Sequence, residues 1–326
     1  VGRLPGQPLD PSLISEVDSF SILQTIGETP LVRLNSWDTP VPIYGKCEHL
    51  NPGGSVKDRL ALALVQDGEA SGKLRPGATI VEATAGNTGM GLALVAAARG
   101  YKLVCVLPEK MSVDKRQALR ALGAEVIVTE NAPLESPLNF RTLAAHLAVE
   151  NGWFLADQFG NQANVETHFQ HTGPEIHRQL GRVPSDFVAG AGTGGTISGV
   201  GRYLKSLDPA VRIVLCDPVG SGLADWINKG EYGPDGKYAV EGIGSGRAPE
   251  IMDRSVIDQA ISISDEESFE TALLLQRREG LLVGGSSGTA VAAALRLARS
   301  GAVSGPIVAL LADSWDRYFS QEWMGF

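Results

Sequence analysis

Lys57 sits in the stretch "NPGGSVKDR" (51–59), after a proline and two glycines and before an aspartate and an arginine. Two readings fit a lysine delivered by so tight a loop. Either the segment is a turn with a solvated, charged helix start, or the amine is held for chemistry. A lysine amine acts as a nucleophile or base near pH 7 only where its surroundings lower its pKa. Asp58 and Arg59 read as ordinary first-turn charges.

Three glycine-rich loops elsewhere bear on that choice. "GAGTGGT" (190–196) follows a predicted strand and precedes a predicted helix. Gly190, Gly192 and Gly195 match G-x-G-x-x-G, and Asp217 ends the next strand about 20 residues on, as in a dinucleotide fingerprint. Such a loop offers backbone N–H groups and a helix N-terminus to an anion. Phosphate fits there, whether of NAD or of something smaller, and a purely structural tight turn is the alternative. In "EATAGNTG" (82–89), Thr84, Asn87 and Thr88 bring hydroxyl and amide groups to a second helix start. That suits a carboxylate, although Asn and Thr at such positions also serve as helix caps. "GGSSGT" (284–289) is a third loop with the same two readings. Three anion-friendly helix starts and one lysine together favour a small ligand with a phosphate and a carboxylate partner. A dinucleotide would use only one of them.

The elements that must position these loops follow a strand–helix grammar. From residue 60, "LALALVQDGEASGKL" reads as a helix, "ATIVEA" as a strand, "NTGMGLALVAAARG" as a helix with Gly100 as its C-cap, and "KLVCVLP" as a buried strand. "MSVDKRQALRALG" is again helical and "AEVIVT" a strand. After residue 180 come strand "DFVAG", helix "TISGVGRYLKSL", strand "RIVLCDP", helix "TAVAAALRLARSG" and strand "PIVALLAD". Such alternation predicts parallel α/β sheets covered on both faces, with units enough for two sheets and a break near residue 150. Residues 1–20, rich in Gly and Pro, read as a loosely structured arm.

The totals exclude several classes. The net charge of −9 over 326 residues argues against a general nucleic-acid or anionic-membrane binder, which needs a basic face. The 39 glycines exceed the average of roughly 7% and cluster in a few loops, pointing to close backbone approaches. Cys47, Cys105 and Cys216 are far apart with no Cys-x-x-Cys, so a disulfide framework or zinc site is not expected. With no apolar run long enough to span a bilayer and no signal-like N-terminus, the cytoplasm is the expected compartment. His168, His171 and His177 lack a further ligand and read as surface or core histidines rather than a metal site. The charged runs "DEESFE" and "QRREG" read as solvated helix faces.

Taken as a set, the motifs resemble fold-type-II pyridoxal-phosphate enzymes of the cysteine synthase and cystathionine β-synthase family. "TIGETPLVRLN" (25–35), "NPGGSVKDR", "EATAGNTGMGLA", "DQFGNQAN" (157–164), "GAGTGGTISG" and "GGSSGT" occur in the family's order, over about residues 20–320. "LPEKMS", "LRALGAE", "DPVGSGLA", "VEGIG", "DRSVID" and the ending "ADSWDRYFSQEWM" look closer to its cystathionine β-synthase branch. The resemblance implies two α/β domains, each a mostly parallel sheet flanked by helices, in a tryptophan-synthase-β-like fold. An arm and strands over 1–46 would join the large domain. A smaller, mobile, substrate-binding domain would cover 47–150, and a larger domain over 151–326 would bind the cofactor phosphate.

It also implies roles, residue by residue. Lys57 would carry pyridoxal 5'-phosphate as a Schiff base and, once freed, act as the base at the substrate α-carbon. Asn87 would meet the cofactor's ring oxygen, Gly192, Thr193, Gly194, Gly195 and Thr196 its phosphate, and Ser286 its pyridine nitrogen. Thr84, Ala85, Gly86, Thr88 and Gln158 would grip the substrate carboxylate, with Gly244 at the rim. Gly53 and Gly54 then read as room for the cofactor ring. The implied reaction is β-replacement on L-serine or an activated serine through an aminoacrylate, in the leading version with homocysteine to give cystathionine. The alternatives are O-acetylserine or O-phosphoserine with sulfide, or another nucleophile giving a non-protein amino acid. An NAD-dependent dehydrogenase, or a binding protein that lost activity, are the readings from other classes. A serine rather than a carboxylate at the pyridine nitrogen makes a milder electron sink, which suits β-replacement over transamination.

Departures bear on the second substrate. Ala85 stands where many members have serine, and Phe159 and Ser245 where animal cystathionine β-synthases have tyrosine. The arm lacks a cysteine or histidine for haem, so a haem-free, constitutively active core is expected, with no metal. Small amino-acid and thiol substrates are the expected partners, with no nucleic acid or membrane. Dimerisation is the family's implication.

Overall fold

The computed structural model describes residues 21–325 apart from 85, 110, 112 and 134. The arm expected over 1–20, and Ala85 among the candidate site residues, lie outside the described residues. Ten strands form among those described: β1 (Leu31–Leu34), β2 (Ile43–Cys47), β3 (Thr79–Ala83), β4 (Lys102–Pro108), β5 (Glu125–Thr129), β6 (Phe154–Leu155), β7 (Asp186–Ala189), β8 (Arg212–Pro218), β9 (Gln259–Ile263) and β10 (Ile307–Leu311). They make two sheets, in the orders β1-β2-β10-β7-β8-β9 and β5-β4-β3-β6. All neighbours run parallel except β1 and β2. β6, just past the break expected near 150, pairs with β3 in the smaller sheet.

Helices cover both sheets: α1 (Lys57–Ala70), α2 (Asn87–Arg99), α3 (Val113–Ala121), α4 (Phe140–Asn151), α5 (Ala163–Thr167), α6 (Gly173–Leu180), α7 (Gly195–Leu207), α8 (Leu223–Lys229), α9 (Asp265–Leu274) and α10 (Gly285–Arg299). A π-helical turn over His168–Thr172 joins α5 to α6. Side-chain alternation divides each strand between two cores. In the larger sheet, Val188 and Val214 face α10, whereas Phe187, Ile213 and Leu215 pack with Ile197, Val200 and Leu204 of α7. In the smaller sheet, Ile80 and Cys105 pack with α1 and α2 through Leu60, Leu64 and Leu92, while Val81 and Val104 meet Ala144 and Ala148 of α4. Full burial of each such leucine contributes about 2 kcal/mol. All three cysteines are buried free thiols.

Several helices start earlier than the sequence suggests. α10 begins at Gly285, so the serines of "GGSSGT" lie in its first turn rather than in a preceding loop. The reason is packing. A Cβ on Gly288 would lie 1.9 Å from the Ser268 carbonyl oxygen of α9, so a bare backbone lets the two helices touch. α1 likewise begins at Lys57 and stops at Ala70, and Gly72 then takes φ +70°. No described helix is long and apolar enough to cross a membrane.

The charges after Lys57 are not the solvated first-turn pair expected. Arg59, 4% exposed, is locked into a buried cluster. Its Nε and Nη2 donate to Glu48 at 2.7 and 2.8 Å, and its Nη1 and Nη2 donate to Glu175 at 2.7 Å each. Lys46 Nζ donates to Glu175 and to the Thr29 carbonyl, both at 2.6 Å. Burial alone would raise the Glu48 carboxyl, but the Arg59 charge overrides it and holds the group at about 2. Two cations and two anions cancel, which is what lets α1, β2 and α6 share a buried charge site. Asp58 is buried too, and its carboxylate accepts the Gly53 N–H at 2.6 Å, closing the loop on itself.

Candidate active site

The carboxyl end of β10, from one sheet, and the helix that follows β3, from the other, both lie against the start of α1, and strand carboxyl ends are the usual place for a ligand in α/β folds. The segment before Lys57 is pinned to the end of β10: Val56 N–H donates to the Ala312 carbonyl at 2.9 Å and Ser55 bridges Asp313. Gly54 takes φ +80°, a left-handed turn that favours glycine. A Cβ on Gly53 would lie 2.5 Å from Asp58 Oδ1, and one on Gly54 2.7 Å from Arg317 Nη2. These glycines make room for the side chains of Asp58 and Arg317. Lys57 keeps part of its surface accessible, and its Nζ makes no hydrogen bond among the described residues. Burial pushes its pKa below that of ordinary lysine, and the negative charge of Asp313 opposes the shift.

The start of α2 lies against Lys57, since a Cβ on Gly91 would approach the Lys57 carbonyl oxygen to 2.9 Å. Gly86 is the N-cap residue of this helix. Thr84 Oγ1 accepts from Gly89 N–H at 3.2 Å, and Thr88 donates to Gln158 Oε1 at 2.6 Å. Gln158 in turn donates to the Ala83 carbonyl at 3.1 Å. Thr84, Gly86, Thr88 and Gln158 therefore meet at one helix start. Asn87, the first residue of α2, turns to the other sheet and donates to Asp313 Oδ2 at 2.8 Å.

The glycine loop follows β7 directly. Gly194 takes φ +81°, and Gly195 and Thr196 open α7. A Cβ on Gly192 would meet the Gly242 carbonyl at 2.4 Å, and one on Gly195 would lie 2.0 Å from Asn164 Oδ1. Asn164 ties this loop to Gln158 and so to the start of α2, donating to Thr193 Oγ1 at 2.9 Å and to the Gln158 carbonyl at 2.8 Å. Thr196 Oγ1 lies 3.1 Å from Nε2 of His168, whose Nδ1 is 2.9 Å from Thr172 Oγ1. Burial drives His168 down to about 3, so it stays neutral and works as a hydrogen-bonding brace. Gly244, with φ +84°, donates its N–H to the Ala191 carbonyl at 2.9 Å and so docks the 240–244 rim onto the loop. Ser286 is 6% exposed at the start of α10, with no side-chain hydrogen bond among the described residues.

These residues fit a phosphate-bearing cofactor joined to a lysine. The donor set is an amine and a serine hydroxyl that make no side-chain hydrogen bond among the described residues, and a helix N-terminus on a left-handed glycine. The dinucleotide reading loses its acid: Asp217 is fully buried and accepts the Ala224 N–H at 2.8 Å, holding α8 in place. It has no surface left for a ribose.

The sequence reading quoted the C-terminal segment for its resemblance but gave no role to three of its residues. Asp313, Arg317 and Tyr318 surround Asn87 and the Lys57 loop. Tyr318 donates to Asp313 Oδ2 at 2.6 Å, and Arg317 donates to Asn87 Oδ1 and to the Gly53 carbonyl. The signal was present in "ADSWDRYFS", an aspartate ending a buried strand followed by an arginine and a tyrosine, but no glycine loop or helix start drew attention to it.

Comparison with known proteins defines the class. Residues 22–313 match the family model described as pyridoxal-phosphate dependent enzyme. The chain belongs to that family, and pyridoxal phosphate held on a lysine is its cofactor. It is 46% identical to the cystathionine beta-synthase of Apis mellifera over 313 residues, 93% of this chain and 62% of that protein. It is 41% identical to the cysteine synthase of Staphylococcus aureus, covering 92% of this chain and 95% of that one. A crystal structure of O-ureido-L-serine synthase superposes with a TM-score of 0.86 at 40% identity, covering 93% of this chain and 94% of that one. The chain thus spans about three fifths of the honeybee relative and nearly all of the other two.

Proposed function

We propose that this protein catalyses β-replacement on L-serine or an activated serine, condensing L-serine with homocysteine to give cystathionine. The observation that carries the reading is the convergence of a hydrogen-bond-free Lys57 with the Thr84–Thr88–Gln158 cluster at one helix start. Pyridoxal phosphate, when bound, supplies the electron sink that makes the substrate α-proton acidic. Lys57 carries the cofactor, and then takes the α-proton as a general base, a role its lowered pKa favours. The N-terminus of α7 with Thr193 and Thr196 holds the phosphate by N–H and O–H donation. Ser286 meets the ring nitrogen as a neutral partner. The start of α2 orients the substrate carboxylate, which fixes the α-hydrogen toward Lys57. We read 47–150 and 151–326 as two domains whose closure excludes water, and the protein as a cytoplasmic homodimer.

A second reading is cysteine formation from O-acetylserine or O-phosphoserine with sulfide. It is favoured by the cysteine synthase match along nearly the whole of both chains. The deciding experiment is a substrate matrix of serine, O-acetylserine and O-phosphoserine against sulfide, cysteine and homocysteine, read by mass spectrometry. Cystathionine as the fastest product supports the first reading. Cysteine formed far faster from O-acetylserine and sulfide overturns it.

A further inference from the structure

Asp313 has no role in the assignments above, yet Asn87, given to the cofactor's ring oxygen, donates to it, and Lys57 lies near enough to feel its charge. It follows β10, is 2% exposed, and keeps one carboxylate oxygen, Oδ1, buried and without a partner. Its other oxygen accepts from Asn87 at 2.8 Å and from Tyr318 at 2.6 Å, while its backbone carbonyl accepts the Gly284 N–H at 3.0 Å. Only a glycine fits at 284, because a Cβ there would lie 2.5 Å from Asp313 Oδ1 and 2.4 Å from Tyr318 Cε2. Lys57 and Arg317 are the cations near enough to interact with the carboxylate, with Tyr318 the further titratable group against it.

The carboxamide of Asn87 is consequently gripped at both ends. Arg317 donates to its oxygen, and its nitrogen donates to Asp313. A side-chain amide has two N–H donors and can rotate to exchange its ends unless its partners fix them. A cation on the oxygen and an anion on the nitrogen allow only one orientation. One N–H then remains free for a ligand.

We propose that Asp313, with Arg317, is a positioning pair that fixes the Asn87 carboxamide and balances the charge of Lys57, setting how the cofactor ring sits. The inference rests on the assignment of Lys57 and Asn87 to the cofactor. Asp313 acts through those two side chains and does not itself meet the substrate.

The test compares holoenzymes of the unaltered protein, Asp313→Ala and Asp313→Asn by cofactor dissociation constant, visible absorption spectrum, and kcat and KM for the amino-acid substrate. Loss of the acceptor in Asp313→Ala is expected to weaken cofactor binding about tenfold or more and to move the visible band. kcat should fall while KM changes little. Asp313→Asn keeps an oxygen that can accept from Asn87 and Tyr318, so it should recover most of the affinity and lose mainly kcat. Should Asp313→Ala not fold, Arg317→Met, which releases the other end of Asn87, is expected to show the same loss of affinity. Unaltered affinity and spectrum in a folded Asp313→Ala or Arg317→Met protein overturn the inference. An unaltered protein with no visible band overturns the Lys57 assignment instead, so the two failures are distinct.

Discussion

Two buried polar regions flank the first turn of α1, one on each side, and their hydrogen bonding differs. On the core side, all three guanidinium nitrogens of Arg59 donate to carboxylates, Lys46 is shared between Glu175 and Thr29, and opposite charges are matched. On the cleft side, the Lys57 amine and the Ser286 hydroxyl make no hydrogen bond among the described residues, and Asp313 Oδ1 and Arg317 Nε are buried without partners among them. Leaving buried polar atoms unpaired costs stability, and a ligand that completed those around Lys57 would remove that cost. The saturated side anchors the helix, and the unsaturated side is the proposed site. Residues two apart in sequence, 57 and 59, thus have unrelated work.

That contrast can be broken by mutation. Lys57→Ala is expected to lower the β-replacement rate by about 10³-fold while leaving urea unfolding within about 1 kcal/mol of the unaltered protein. Arg59→Met should do the reverse, costing about 3–5 kcal/mol because Glu48 and Glu175 are left as buried charges. If Lys57→Ala unfolds the protein and Arg59→Met does not, the division is wrong. Gly195→Ala tests the cleft side more gently. Its Cβ would displace Asn164 from Thr193, and cofactor affinity measured by absorbance titration should fall about tenfold with little change in stability.

A further effect, read against pH, concerns Glu82, a buried acid beside Gln158. Burial, with the charge of Asp157 adding to it, raises Glu82 to about 8 from the ordinary 4.5. The folded protein keeps a proton there that the unfolded chain releases, so this group's contribution to stability declines as pH rises between those values. Glu82→Gln should flatten the fall in unfolding midpoint across pH 5 to 8. An unchanged slope would show that Glu82 does not carry it.

The helix starts that frame the proposed site were legible in the sequence, because such starts advertise themselves. "GAGTGGT" and "EATAGNTG" each sit between an aliphatic strand and an alanine- or glycine-rich helix, and the structure has α7 and α2 beginning at those loops. The strand–helix alternation likewise showed parallel sheets covered on both faces. What could not be read was which charges would be buried. Arg59 looks like any first-turn arginine until Glu48 and Glu175, brought in from β2's end and α6, surround it. Asp313 is hidden for the same reason: its partners Asn87 and Lys57 lie more than 200 residues away. Pairings across sheets depend on tertiary contacts, which local patterns do not encode.

The central claim is that Lys57, and no other lysine, carries the cofactor. The direct measurement is borohydride reduction of the purified yellow protein, followed by peptide mass spectrometry. The account expects the reduced pyridoxyl group on the peptide containing Lys57, in a protein that loses its visible band and its activity together. The label on Lys46 or Lys115, or no covalent label at all, would contradict it.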